Sequence, residues 1–470
     1  MPRGCHATAS LEVRARGGDG VTDVMGSKGA GGPSRAPGGI GSVPARAPGD
    51  GGSAAGGVPG SVDVPGIGDT REYVDWLIRR LSDGHPPRRA GTAAEREAQE
   101  LVAGHLAQLG LPADFEGFRF SDDLYRVLAL HFGLGALATL VAGRRPLLGA
   151  SLHSLAAGSY WLDSSKRAEI LRRALPYVDS QNLVATLAPT PQPKLRIVYL
   201  AHMDAALTGL LFDPRFVRIF SYKGTAAPYP ARSLAVATHA EAAGAAVSLL
   251  RAALGGQSRA LRRIELLLGI PAVISFLLNA DVTRRQHVVP GAADDLSGVA
   301  GLMVLAQRFS SRPHPDVEMV FAVTGAEEAG TGGARRLCTA HRNDWDPTDT
   351  VIIGLDGLTN GDLFWTTEGE IHPMRIAPWL EDVLADAASS DERFTGARRY
   401  RVPVGSTDAA PFEHAGYDGT TISCVDLSIG SPRGYHHPSD TADNLDLDQL
   451  LATIDFVEVA TDRIIEAKLG

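Results

Sequence analysis

From Thr70 onward the chain alternates helical and strand-like spacings of apolar residues. TREYVDWLIRRL sets Tyr73, Leu77 and Leu81 on one helical face. TAAEREAQELVAGHLAQLG predicts a second helix, with Thr92 as N-cap, Glu95 at the capping-box position and Gly110 as the stop. Four short runs rich in Val, Ile and Leu read as buried strands: KLRIVYLAH, DVEMVFAVTG, TVIIGLDG and GTTISCVDLS. Helical patterns separate most of them, which predicts an α/β fold with a mixed, largely parallel sheet flanked by helices. LDQLLATIDFVEVATDRIIEAKL closes the chain as a long amphipathic helix.

Three further runs break that pattern because they are apolar all round. Val127–Gly143 and Pro146–Leu162 are nearly uncharged and separated by Arg144 and Arg145; Leu266–Ala280 lies in a long insertion that begins after Asp204. At roughly 15 to 17 residues each they fall just short of the ~20 that span a bilayer comfortably. Two readings stand: a buried helical subdomain or oligomer interface, and a membrane-embedded or interfacial anchor. His131 and His153, inside these runs, read as packing residues rather than ligands.

Composition narrows the choices. The 470 residues carry 45 basic and 54 acidic side chains, a net charge of −9, which argues against broad nucleic-acid binding. Apolar residues at 44% support a sizeable core. Cys5, Cys338 and Cys424 are too few and too far apart for a disulfide framework or a cysteine metal site, so any metal must be held by His and carboxylates. Residues 1–68 hold 19 of the 53 glycines and 7 of the 29 prolines with few large apolar side chains, and are expected to be a disordered tail. The N-terminus shows no apolar stretch of signal-peptide type, so a cytoplasmic or membrane-associated location is expected.

Candidate chemistry follows the strands. KLRIVYLA leads to His202-Met203-Asp204, DVEMVFAVTGA to Glu327 and Glu328, TVIIGL to Asp356, and GTTISCVDLS, past a Gly/Pro loop, to Tyr435-His436-His437-Pro438. Between the first two strands, Asp294 and Asp295 open an amphipathic helix in GAADDLSGVAGLMVLAQRF. Each feature alone suits a cap or a solvated loop. Together they deliver imidazole and carboxylate to the carboxyl edge of an α/β sheet, where sites gather. Two His and three carboxylates are what two zinc ions sharing one bridging carboxylate need, with Mn2+ or Co2+ as substitutes. A hydroxide bridging such ions could attack a carbonyl at neutral pH, and of two adjacent glutamates one could bind metal while the other serves as base.

The order HMD, GAADDLSG, GAEEAG, LDG and YHHPSDTADNLD resembles the M28 family of zinc peptidases, the di-zinc aminopeptidases and their relatives. RRAGTAAEREAQELVAGHLAQLGLPADFEGF and SQNLVATLAP are similar to that family's N-terminal helix and first strands. The resemblance implies a metallopeptidase domain over 69–470, with apolar helical insertions at about 124–165 and 205–288, acting on peptides. It implies that His202 and Asp356 bind one zinc, Glu328 and His436 the other, and that Asp294 bridges both. Glu327 is the implied general base, Tyr435 an oxyanion donor, Asp204 the residue that orients His202, and Asp294–Asp295 the site of a cis peptide. The spacing to Pro438 and Asp440 selects His436 over His437 as the ligand.

Two departures stand out. Ser406-Thr407-Asp408-Ala409-Ala410-Pro411-Phe412 has Ala where the family often has His, which touches substrate contacts rather than metal binding. The 92 positions between His202 and Asp294 replace what is usually a short loop. The insertions are therefore expected to pack together beside the site, as a helical cap or a membrane-docking subdomain. Besides a di-zinc exopeptidase, a single-zinc glutaminyl cyclase of the same fold and a non-catalytic binding relative are the alternatives. An oligomer is open on this reading.

Overall fold

KLRIVYLAH and its three counterparts lie side by side at the centre of an eight-stranded sheet in the computed structural model, which describes residues 69–220 and 222–470. The expected tail over residues 1–68 lies outside the described residues, apart from which the strands run β1 (Ala113–Phe120), β2 (Val178–Leu187), β3 (Leu195–His202), β4 (Leu207–Thr208), β5 (His287–Val288), β6 (Val317–Thr324), β7 (Thr350–Leu355), β8 (Asp362–Thr367), β9 (Arg398–Arg401) and β10 (Asp418–Val425). The sheet order is β1-β2-β6-β3-β7-β10-β8-β9. Its parallel centre is β6-β3-β7-β10. β1 and β2 form an antiparallel edge, and β8 pairs antiparallel to β10. The sheet is thus mixed and largely parallel at its core, as expected. β8 and β9 carry too many polar and charged residues to read as buried strands from pattern alone.

The helices are α1 (Thr70–Ser82), α2 (Ala93–Gln108), α3 (Leu124–Ala142), α4 (Pro146–Ser164), α5 (Pro214–Phe220), α6 (Ser233–Ala253), α7 (Arg259–Leu268), α8 (Ile270–Arg285), α9 (Ser297–Ser311), α10 (Gly332–His341), α11 (Pro378–Ser389), α12 (Ala410–Ala415) and α13 (Leu447–Leu469). Strand β3 is buried on both faces because its alternate side chains enter two cores. Ile197 and Tyr199 pack with Leu77, Phe309, Phe321 and Ile454 under α1, α9 and α13. Val198 and Leu200 pack with Leu337, Trp345 and Phe412 under α10 and α12. That explains the near-continuous apolar runs.

The three all-round apolar runs are helical. α3 and α4 form one hairpin; α6 turns back through α7 and α8 to form another. The Leu266–Ala280 run straddles a break at Gly269, where Pro271 starts α8 in its first turn. The second hairpin leaves and rejoins the body through a two-stranded neck, Leu207 opposite Val288 and Thr208 opposite His287. The hairpins pack on each other where Gly135 of α3 faces Glu241 of α6, and within the first hairpin Gly149 of α4 lies against Ala142 of α3, so closely that a Cβ at either glycine would collide. His131 hydrogen-bonds the Val127 carbonyl and Ser159 and is buried, a packing residue as the sequence suggested.

Candidate metal centre

Each of the four parallel strands ends at the same edge, and each of their following loops contributes a ligand-type side chain. His202 is the last residue of β3. Glu327 and Glu328 follow β6, Asp356 follows β7, and His436 sits in the loop beyond β10. Asp294 enters from the kinked turn that leads into α9. Hydrogen-bonding ends the strands here: the amide of Met203 donates to the Thr324 carbonyl and the chain then turns away.

The centre of the cluster is Asp294. One carboxylate oxygen, Oδ1, lies 3.1 Å from His202 Nε2, and the other, Oδ2, lies 3.2 Å from His436 Nε2. Glu328 Oε1 is also 3.2 Å from His436 Nε2, and Glu327 Oε2 is 4.0 Å from His202 Nε2. Three overlapping groups keep their ligand atoms within 4.8 Å of one another: His202, Asp294 and Asp356; His202, Glu327 and Glu328; and Asp294, Glu328 and His436. The sequence-predicted set is therefore brought together as one cluster. His437 is not part of it; its ring turns outward and bonds Ser439.

Buried scaffolding holds these side chains. His202 Nδ1 donates to the backbone carbonyl of Asp204 at 2.9 Å, which leaves the Nε2 lone pair facing Asp294 and able to bind a metal. The Asp204 carboxylate, expected to orient His202, is instead 3.7 Å from that ring and accepts the amides of Glu327 and Glu328 at 2.9 and 3.0 Å. It positions the glutamate loop, because two consecutive amides there need an acceptor. Asp295 accepts the amides of His202, Gly298 and Gly357, tying the ends of β3 and β7 to the first turn of α9. The Asp294–Asp295 peptide bond is cis. Ala326 and His436 take left-handed φ of +53° and +51°, unusual for residues with a Cβ, in the two loops that aim ligands.

Several supporting residues were not legible as such. Arg88 is buried and donates to the carbonyls of Leu81, Met203, Pro290 and Gly291, clamping the His202 and Asp294 loops. Glu95 reads as a capping-box residue, and its amide does donate to the Thr92 hydroxyl. Its carboxylate, however, accepts from the Gly91 and Ala326 amides and from Ser180. Asp440 accepts the amides of Ala293 and Asp294. Tyr125, in the first turn of α3, is hydrogen-bonded to His436 Nδ1 at 2.9 Å. Asp440 lies within YHHPSD and Arg88 opens RRAGTAAEREAQ, both in stretches similar to the family; Tyr125 had no signal beyond its residue type. Tyr435 stacks on the His436 ring, is 38% exposed, and its hydroxyl bonds to no described residue.

The donor set fits divalent metal. Asp294 Oδ2 and Glu328 Oε1 are buried yet receive no hydrogen bond, a costly arrangement unless a cation completes it. Charge points the same way. Burial opposes ionisation of Asp294, but the two imidazoles outweigh it and hold its carboxyl well below the ordinary range. Burial likewise opposes protonated His436, yet Glu328 and Asp294 push it up to about 10. Burial and the neighbouring Asp294 charge raise Asp356 to about 8. Burial, reinforced by the Asp408, Glu328 and Asp356 charges against the pull of His202, raises Glu327 well above its usual value. Protons crowd onto a pocket with surplus negative charge, which is the surplus that cations neutralise. Imidazole and carboxylate without thiolate suit zinc.

Residues 279–460 match the profile of Peptidase family M28. That stretch holds Asp294, Glu327, Glu328, Asp356 and His436; His202 lies before it, across the second hairpin. A probable zinc metalloprotease of Pyricularia oryzae is 33% identical over 89 residues, 19% of this chain and only 16% of that protein's length. Aminopeptidase YwaD of Bacillus subtilis is 24% identical over 399 residues, 82% of each chain. BSAP, a zinc aminopeptidase from Bacillus subtilis, shares the fold at a TM-score of 0.50 and 16% identity, over 84% of this chain and 95% of that one. The motif order, the sheet and the side-chain cluster along one edge accompany that match, so the chain is similar to peptidase family M28 over residues 279–460 and shares the fold of a zinc aminopeptidase.

Proposed function

We propose that the protein is a di-zinc exopeptidase that removes residues from the amino ends of peptides. The observation that carries this reading is the position of Asp294 between His202 and His436, one carboxylate oxygen facing each ring. On this reading His202 and Asp356 hold one ion, Glu328 and His436 the other, and Asp294 is shared. Zinc, when bound, supplies Lewis acidity that acidifies water and polarises a carbonyl. Glu327 stands beside the ligands without being needed as one. Its raised proton affinity suits a group that takes a proton from water and passes it to the departing amine. Tyr435, with its free hydroxyl at the rim, is placed to donate to the carbonyl oxygen as charge develops there. Phe212 packs on both Tyr435 and His436 and walls this side of the site with apolar surface.

Metal analysis of the purified full chain, paired with peptide assays, tests the reading. Two zinc ions per chain are expected, with stepwise release of residues from free amino ends and none from amino-acetylated peptides. Release from carboxyl ends would remove the aminopeptidase assignment. One zinc per chain with cyclisation of amino-terminal glutamine would replace it by the cyclase.

A further inference from the structure

The two helical hairpins have inverted polarity. Their interior contains charged and polar side chains: Glu265 and Glu241 are 0% and 1% exposed, Arg251 is 3% exposed. Arg251 donates to Glu265 and to the Ala142 carbonyl, and Ser248 also donates to Glu265. Their exterior is the opposite. Leu140, Leu147, Leu254, Leu267 and Leu277, from α3, α4, the end of α6, α7 and α8, are each at least 60% exposed. A soluble bundle buries its leucines and exposes its charges, since water drives apolar surface inward. This bundle pairs Arg251 with Glu265 internally, buries Glu241 and presents hydrocarbon outward.

Length and end charges agree with that polarity. α3 and α4 have 19 residues each and α6 has 21, so they extend ~28 to 32 Å at 1.5 Å per residue, against a hydrocarbon core of ~30 Å. Among the described residues α3, α6 and the α7–α8 stretch are long and apolar enough to cross a membrane. Exposed arginines sit only at the ends. Arg144, Arg145, Arg259 and Arg263 lie by the far turns, and Arg167 and Arg284 lie by the peptidase body. Such rings complement anionic headgroups at both faces of a bilayer. Close glycine contacts at Gly135 and Gly149 suit helices that associate without a hydrophobic drive. A second protein would cover one face of the bundle. The exposed leucines come from every helix in it, which suits a surrounding fluid.

We propose that the bundle of α3, α4, α6, α7 and α8 is embedded in a lipid bilayer, with the peptidase body seated at the membrane surface. Tyr125, at the foot of α3 and bonded to His436, then places the ligand cluster at the base of the embedded part.

Reconstitution of the purified full chain tests this by where the protein goes, independently of any peptidase activity. It is expected to float with phosphatidylcholine vesicles and to remain bound in 1 M NaCl and alkaline carbonate. Recovery at the bottom of the gradient, or a soluble dimer that leaves vesicles unbound, overturns the proposal. So does release by salt, which indicates only headgroup attraction. Leu267→Asp with Ile274→Asp should lower the floating fraction at least tenfold. Because that variant can fail to fold, Leu267→Trp supplies a mild second probe. Brominated acyl chains should quench the added emission by more than half, and unchanged emission overturns the embedding.

Discussion

Asp294 and Glu327 show how little separates the proposed ligand from the proposed base in this cluster. Both are buried carboxylates within 4.0 Å of the same His202 nitrogen. Asp294 lies between two imidazoles and is held ionised, whereas Glu327 faces carboxylates and is pushed to hold a proton. Glu327→Gln is therefore expected to keep its zinc while kcat falls about 10²- to 10⁴-fold. Full activity in this variant would dismiss Glu327 as the base. Asp294→Ala removes the shared acceptor, and metal analysis is expected to show less than one zinc per chain. Retention of two would contradict bridging. Arg88 matters for a different reason: removing it strands buried carbonyls on two ligand-bearing loops. Arg88→Ala should cost about 3 kcal/mol in chemical denaturation, since each buried acceptor left bare costs about 1–3 kcal/mol.

At the scale of elements, the first helical hairpin begins at the catalytic edge rather than at a remote surface. Asp123 caps α3 by accepting the Arg126 amide, which fixes the turn that carries Tyr125 toward His436. With Nδ1 of His436 donating to the Tyr125 oxygen, Nε2 is left as the ligand nitrogen. Tyr125→Phe is expected to weaken zinc affinity about 10- to 100-fold with little change in fold, as read by competition with a chelator. An unchanged affinity would mean that stacking by Phe212 and Tyr435 suffices to hold the ring. The strands were legible in the sequence because burial on both faces demands uninterrupted Val, Ile and Leu. β9 was not, because its edge position lets Arg398 and Arg399 stay in water, and β8 was not, because only its Leu363, Phe364 and Trp365 form an apolar run. α6 was missed for a related reason: its alanine-rich pattern takes sides only when α4 packs against it.

For the whole molecule, the metal-free protein carries a store of acid groups whose proton affinity is raised by folding. Burial raises Glu370 to about 8, Asp356 to about 8 with help from Asp294, and Asp440 to about 7. Their unfolded values lie near 4, so the folded chain binds more protons between about pH 4 and 8. Stability from these groups is complete below that window and is lost as pH rises through it, with a slope of about 1.4 kcal/mol per pH unit for each group. Metal-stripped protein should therefore show a thermal midpoint that falls from pH 5 to pH 8. Zinc should raise the midpoint at pH 8 and flatten the curve, because cations replace protons at Asp356 and its neighbours. A midpoint that rises with pH after stripping would contradict the surplus of negative charge.

By itself the sequence determined the sheet class, the ligand types and their places after strands, because strand burial and metal chemistry each restrict residue type locally. It also marked the hairpin segments as apolar. Only the tertiary structure decided that His202 meets Asp294 across 92 positions and that Asp204 serves the glutamate loop. It alone set Arg88 and Tyr125 as supports and turned the leucines of the hairpins outward around buried Glu241 and Glu265. Those outcomes depend on which faces of distant segments come into contact, and local spacing carries no information about that.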